Sequence, residues 1–333
     1  MQPITDAPTA TTAFLGMLRD GPVRAPAVVA SFAEFEATFG GLWSQSDLPF
    51  AIRDFFANGG AQAVITRLDA PASAADLTLL AGVDFQLLCQ PDGIAADQAA
   101  VYCEDRRAFL IFDVADVAGV SVSSPNAAGY FPRLMMPDPF DANRLKRYSA
   151  LGAVAGVMAR VDLGQGVWKA PAGRAAGIRG TAGYQVLVSS QQATTLTLAG
   201  VNALRSMPGT DEVLVWGART RSSDALWKYV NVRRFALFLE QSIRRGTQET
   251  VFQPNGEPLW AQLRATVGEF LLDLWRRGAL QGNKAEQAFF VRTGRETTTQ
   301  ADLDQGAVNV LVGFAPLKAA EFVLVEIRLA TAG

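Results

Sequence analysis

The chain has 333 residues, 49% of them hydrophobic and 19% charged, and a net charge of −2. That composition fills the core of about two domains and lacks the basic excess that nucleic-acid binding by counterion release requires. There is no histidine, and Cys89 and Cys103 are the only cysteines, which removes Ser-His-Asp and Cys-His nucleophiles, histidine-ligated zinc and a disulfide framework. No apolar run approaches the roughly 20 residues of a membrane span, and the opening MQPITDAPTATTAFLG lacks the basic-then-apolar layout of a secretion signal.

Residues 1–30 read as extended and proline-punctuated, with Phe14-Leu15-Gly16-Met17 as a short strand. SFAEFEATFGG then predicts a helix: Ser31 caps it, Glu34 stands at the capping-box position, and Gly40 ends it. A second helix over Pro49–Phe56 stops at Asn58-Gly59-Gly60, and 61–68 is a strand. APASAAD (70–76) is a small-residue linker, after which strands and helices alternate: strands at 83–89, 108–114 and 212–218, helices near 96–107 and 149–160. TAGYQVLVSSQQATTLTLAGVNALRS (181–206) reads as strand then helix.

From Val230 the helical pattern is strong. Asn231 caps a helix carrying Phe235, Leu239, Ser242 and Ile243 on one side, and Gly246 closes it. Another helix starts at Pro258, carries Leu259, Leu263, Val267, Phe270 and Leu274 at helical spacing, and stops at Gly278. Strands follow at 288–292, 308–314 and in the closing AEFVLVEIRLATAG. In that last strand Val323, Val325, Ile327 and Leu329 point one way, and Phe322, Leu324, Glu326 and Arg328 the other. Burial along one face does not repay the ordering of a chain end, so this strand needs a sheet edge to pair with.

The residues suggest little chemistry. Gly164-x-Gly166 is not a dinucleotide fingerprint, and there is no P-loop. Asp302 and Asp304 suit a cap or turn better than a calcium loop, which needs more oxygen ligands. Lys169 stands between Trp168 and Pro171 in a loop that reads as packed. Arg219, Arg221, Arg233 and Arg234 could hold phosphate or pair with carboxylates. No cofactor or metal site is expected.

VWGARTRSSDALWKYVNVRRF (215–235) resembles the tail sheath proteins of contractile phage tails and contractile injection particles. Further blocks in the same order support it: SFAEFEATFGG, FFANGG, GVWKAPAG (166–173), GVNALR (200–205), PNGEPLWAQLR (254–264), LWRRGALQG (274–282), AFFVR, TQADLDQG and VGFAPLKAAEFV (312–323). The resemblance covers nearly the whole chain, most weakly at 70–150 and 174–199, and implies a structural protein, not an enzyme. The rival from another class is an α/β enzyme using carboxylate or lysine chemistry.

The implied fold class is α/β. A discontinuous α+β inner domain (21–70 and 220–319), with a mixed sheet and two long helices, would carry an inserted α/β outer domain (71–219). An N-terminal arm (1–20) and a C-terminal arm (320–333) would exchange strands with neighbours, through Phe14, Leu15, Phe322, Val323, Leu324, Val325, Ile327 and Leu329. Arg233, Arg234, Arg264, Glu269, Asp273, Arg276 and Arg277 are the implied contacts to the tube or to other subunits. The implied partners are further copies in a helical homopolymer of stacked hexameric rings, an inner tube protein, baseplate and terminal cap proteins, and paralogous sheath subunits; neither nucleic acid nor direct membrane insertion is implied. Assembly in the bacterial cytoplasm, as part of a phage tail or of a cytoplasmic or released contractile injection particle, follows from the same resemblance. So does the expectation that removing residues 320–333 leaves soluble subunits unable to form tubes.

Overall fold

A computed structural model describes residues 2–115, 120–206, 209–317 and 323–331, apart from the side chains of 142 and 251. The chain divides into two compact units: Pro8–Arg234, and Met1–Ala7 with Phe235–Gly333.

The larger unit is built on an eight-stranded sheet. Its elements are β1 (Thr12–Met17), β2 (Ala27–Val29), α1 (Phe32–Phe39), α2 (Leu48–Ala57), β3 (Ala63–Leu68), β4 (Leu87–Cys89), α3 (Ala96–Arg106), β5 (Phe109–Asp113) and β6 (Ala127–Phe131). They continue with β7 (Leu134–Asp138), β8 (Asp141–Tyr148), α4 (Leu151–Gln165), β9 (Gly183–Tyr184), α5 (Ser190–Leu198), β10 (Val201–Ser206) and β11 (Val213–Trp216). The order across the sheet is β11-β10-β6-β5-β4-β1-β3-β2. From β10 to β3 the strands run parallel, and the two edge strands are antiparallel.

Parallel strands with both faces covered read as unbroken apolar runs. That is why Phe109-Leu110-Ile111-Phe112 and Ala13-Phe14-Leu15 are buried throughout. α1 forms as its sequence implies: the Ser31 hydroxyl accepts from the Glu34 N–H at 3.1 Å, Glu34 accepts from the Ala30 N–H at 2.8 Å, and Gly40 takes the left-handed conformation at φ 83°. A separate three-stranded sheet, β8-β7-β9, covers a stretch (134–148) where the apolar pattern predicts no element.

Helix α6 (Val230–Gly246) begins in the larger unit and ends in the smaller one. The smaller unit continues with α7 (Glu257–Arg276), α8 (Ala285–Ala288), β12 (Phe289–Arg292), α9 (Gln300–Asp304), β13 (Ala307–Phe314) and β14 (Val323–Ala330). Its sheet is antiparallel, in the order β12-β13-β14. Leu263, Val267, Leu271 and Leu274 of α7 are buried, as are Val308, Val310, Val312 and Phe314 of β13. Phe314 packs edge-on against Phe235 of α6 at 5.2 Å. Thr299 and Asp302 form a capping box at α9, so Asp302 serves as a cap, as its spacing suggested.

Two sequence-level boundaries are corrected. No domain break falls at 70, because β3 lies in the same sheet as β4–β6, so 21–70 and 71–219 build one unit. Asn231 is not a cap: it lies within α6, and its amide donates to the Trp168 carbonyl at 3.0 Å.

Candidate assembly surfaces

The expected N-terminal arm is held at home. Phe14 and Leu15 lie in β1, a central strand paired with β3 on one side and β4 on the other, and both are buried. Phe14 packs edge-on against Phe55 at 5.6 Å. A strand with neighbours on both edges and apolar packing on both faces has nothing left to exchange, so the assignment of these two residues to an arm is withdrawn. Residues 2–7 lie against the helices of the smaller unit: the Ala7 N–H donates to Ser242 Oγ at 3.0 Å, and Asp6 pairs with Arg277 at 2.8 Å.

The closing strand is also at home in the isolated chain. All eight residues of β14 pair with β13, from Phe314↔Val323 to Ala307↔Ala330. Val323, Val325, Ile327 and Leu329 point inward and are buried, whereas Leu324 is 53% exposed. Phe322 lies outside the described residues. The alternation read from the sequence is therefore correct, but the partner sheet is the chain's own. Among the described residues β14 and β12 form the two edges of this sheet.

The charged candidates separate into two groups. Glu269, Asp273 and Arg276 lie on the exposed stripe of α7, and Arg277, which caps its C-terminal end, also pairs with Asp273 at 3.3 Å. Arg264 is partly exposed; it pairs with Glu257 at 2.6 Å and donates to the Thr293 carbonyl. The other two serve the fold. Arg234 makes a two-pronged pair with Asp162 at 3.1 and 2.6 Å and donates to the Thr9 carbonyl at 2.9 Å. Both partners are almost fully buried, so Arg234 is removed from the surface contacts. Arg233 donates to Asn126 Oδ1 at 2.6 Å and lies 4.7 Å over the Trp227 ring.

Sequence reading missed a cationic cleft in the larger unit, of about 460 Å³, between the loops at 121–123, 197–200 and 219–228. Buried Asn202 of β10 sets the position of the last of these. Its Oδ1 accepts from the Arg219 N–H at 2.7 Å, and its amide donates to the Arg219 carbonyl at 2.9 Å. Thr220 Oγ1 donates to the Trp227 carbonyl at 2.6 Å, closing the loop on itself. The Arg219 guanidinium lies 5.3 Å over the Tyr229 ring.

Arg221 donates to the carbonyls of Val122 at 3.1 Å, Val120 at 3.2 Å and Ala199. Gly200 (φ 69°) makes room for it, since a Cβ there would stand 3.0 Å from Arg221 Nη1. Burial lowers the Arg221 pKa from its ordinary value. Arg219 and Arg221 were visible as a basic pair in the sequence, but Asn202 and Gly200, which place them, gave no signal of their own.

A second, smaller cavity sits where the direction of winding reverses, at the C-terminal ends of β1 and β4, bordered by Asp47, Cys89, Gln90, Asp92 and Arg133. Open parallel sheets bind ligands at such points. Here the space is about 50 Å³, far below the roughly 300–1,000 Å³ of ligand pockets. Burial raises the Asp92 pKa from its ordinary value, and the neighbouring Asp47 adds to the rise.

Comparison with known proteins gives a consistent answer. A model of the phage tail sheath C-terminal domain matches residues 222–330. A putative prophage major tail sheath protein of Pseudomonas aeruginosa (strain UCBPP-PA14) is 26% identical over 256 residues, covering 71% of this chain and 62% of that relative. The match thus spans less than two thirds of the relative's length. The helical sheath of the anti-feeding prophage in its contracted state is similar in structure, with a TM-score of 0.83 and 27% identity over 97% of this chain and 94% of that one. The contracted sheath complex of PVC, an extracellular contractile injection system, has a TM-score of 0.79 and 28% identity, covering 97% of this chain and 92% of that one. These relatives are structural sheath proteins, not enzymes. The family model thus matches the C-terminal third of the chain, and the fold is shared along nearly all of it with sheath proteins of contractile particles, which this chain resembles.

Proposed function

We propose that the protein is the subunit of a contractile sheath that polymerises helically around an inner tube and shortens to drive that tube through a target envelope. The observation that carries this reading is the structural likeness over 97% of the chain to a helical sheath in its contracted state. The baseplate, terminal caps, tube and paralogous sheath subunits are its partners on this reading.

Copies are linked, on this reading, through the β12-β13-β14 sheet. Every bond that β14 makes to its own β13 is available unchanged from an identical β14 of a neighbour, so exchange preserves the ladder and joins the molecules. Among the described residues no further strand pairs with the outer edge of β12 or β14, and such edges are of the kind that augmentation uses. The exposed stripe of α7 (Glu269, Asp273, Arg276), with Arg277 at its end, suits weak, reversible attachment to the tube, since exposed ion pairs contribute about 0–1 kcal/mol each.

Negative-stain microscopy of the purified chain tests assembly, and tubes are expected. A cysteine pair at Leu311 and Glu326, which face each other across β13 and β14, tests the exchange. Oxidised before assembly, the pair should abolish tubes, and reduction should restore them. Tubes that form equally well with the bond closed would end the exchange reading while leaving the sheath assignment standing.

A further inference from the structure

We infer that the cationic cleft around Arg219, Arg221 and Lys228 is a contact site for a carboxylate-bearing segment of a second copy of this chain. The inference rests on the sheath reading above. Among the described residues none of these three cations has a carboxylate partner: Arg219 lies on Tyr229, Arg221 is bonded to carbonyls, and Lys228 is exposed. Asp224 also lines the cleft, where its carboxylate accepts from the Leu226 N–H at 2.9 Å, so three cations stand with one carboxylate and the cleft keeps a net positive charge that an incoming carboxylate offsets.

The site is also built in advance. The 219–228 loop is held by Asn202 and by Thr220, with Arg219 laid on Tyr229 and Arg221 on carbonyls, so the backbone and these two side chains are in place before binding. Ser121, Ser123 and Ser223 add hydroxyls to the lining, and Leu198 stands 81% exposed at the rim. A polar cleft with an apolar lip fits a short peptide segment with one or two acidic side chains better than a free anion, which would leave Leu198 in water.

A second copy is the partner that the chemistry and the family favour. The chain carries 32 acidic against 30 basic side chains, so each copy offers the carboxylates that another's cleft takes. A helical polymer brings copies together at high effective concentration.

The experiment compares the wild type with an Arg219→Glu/Lys228→Glu variant and a charge-conserving Arg219→Lys/Lys228→Arg variant. Thermal unfolding establishes that each is folded. The charge-reversed variant is expected to need about tenfold more protein before tubes appear. The conserving variant should assemble nearly as the wild type does. The wild type should weaken between about 0.05 and 0.5 M salt more steeply than the reversed variant. A photo-crosslinker at Ser223 in assembled tubes should capture an Asp- or Glu-bearing peptide of another copy.

Assembly of the reversed variant at the wild-type concentration, or crosslinks confined to one molecule, would overturn the inference and leave the sheath reading intact. Inhibition of wild-type assembly by inorganic phosphate, with the reversed variant assembling normally, would reassign the cleft to a free anion. Failure of the wild type to form tubes at all would remove the sheath reading and the inference with it.

Discussion

Two buried charged groups make opposite contributions to this fold. Asp54 on α2 is 4% exposed, one carboxylate oxygen has no partner among the described residues, and burial raises its pKa from 3.8 to about 6 against the opposing pull of Arg53. The folded chain therefore binds more protons than the unfolded chain between these two values, and stability falls as pH rises through that window. Asp54→Asn is expected to stabilise the protein by about 2 kcal/mol at pH values above 6 and to have little effect near pH 4. Urea midpoints at both pH values check the sign. Arg234 is the reverse case, a buried cation with a matched carboxylate. Arg234→Met leaves the buried Asp162 carboxyl without its partner and should cost about 3–5 kcal/mol, whereas the double change with Asp162→Leu should recover most of that loss in the same unfolding measurement. Sequence offered Arg234 as a surface contact for phosphate or a carboxylate; only the packing of α4 beside it shows that its guanidinium is enclosed.

At the level of elements, the crossing of α2 and α4 depends on two glycines. A Cβ at Gly152 would stand 1.8 Å from the Ala51 carbonyl oxygen, and one at Gly156 2.3 Å from that of Phe55. The helices therefore approach backbone to backbone. Gly152→Ala should destabilise by about 1–3 kcal/mol despite the better helix propensity of alanine. Gly164 lies on the same helix, and a Cβ there would meet nothing within 4 Å, so the same change should gain up to about 1 kcal/mol. Thermal unfolding of the two variants gives opposite shifts if the close crossing is the reason for the glycine. The helix itself was legible as an apolar run from about 149, but its partner was not, because glycine is silent about what approaches it. The strands β6 to β8 were illegible for a related reason: Gly129 in β6 and Pro137 in β7 interrupt the pattern, and β8, DANRLKRY, is mostly polar and lacks the apolar alternation that announces a strand.

At the level of the molecule, the closing strand covers one face of the smaller unit's core. Removing 320–333 does more than detach an arm, because β14 covers the buried face of β13 through Val323, Val325, Ile327 and Leu329. The truncated chain is expected to expose Val308, Val310 and Val312 and to aggregate, instead of remaining as soluble, inert subunits; the soluble fraction after expression measures this. A sheath built by exchange, as proposed above, would satisfy the same β13 with another molecule's strand, and would then differ from the isolated chain in connectivity and not in the contacts that hold the core.

Local patterning determined the caps of α1 and α9, the inward face of β14, the two long C-terminal helices and the alternation of strands and helices, because each depends on residues a few positions apart. Family likeness was readable from blocks spread along nearly the whole chain. Strand order, the enclosure of Arg234, the burial of Phe14 and Leu15 inside a sheet, and the convergence of Arg219, Arg221 and Lys228 on one cleft were decided by tertiary structure. They depend on which distant segments pack together, and an apolar strand or a basic pair has the same local sequence whether its partner is its own chain or another.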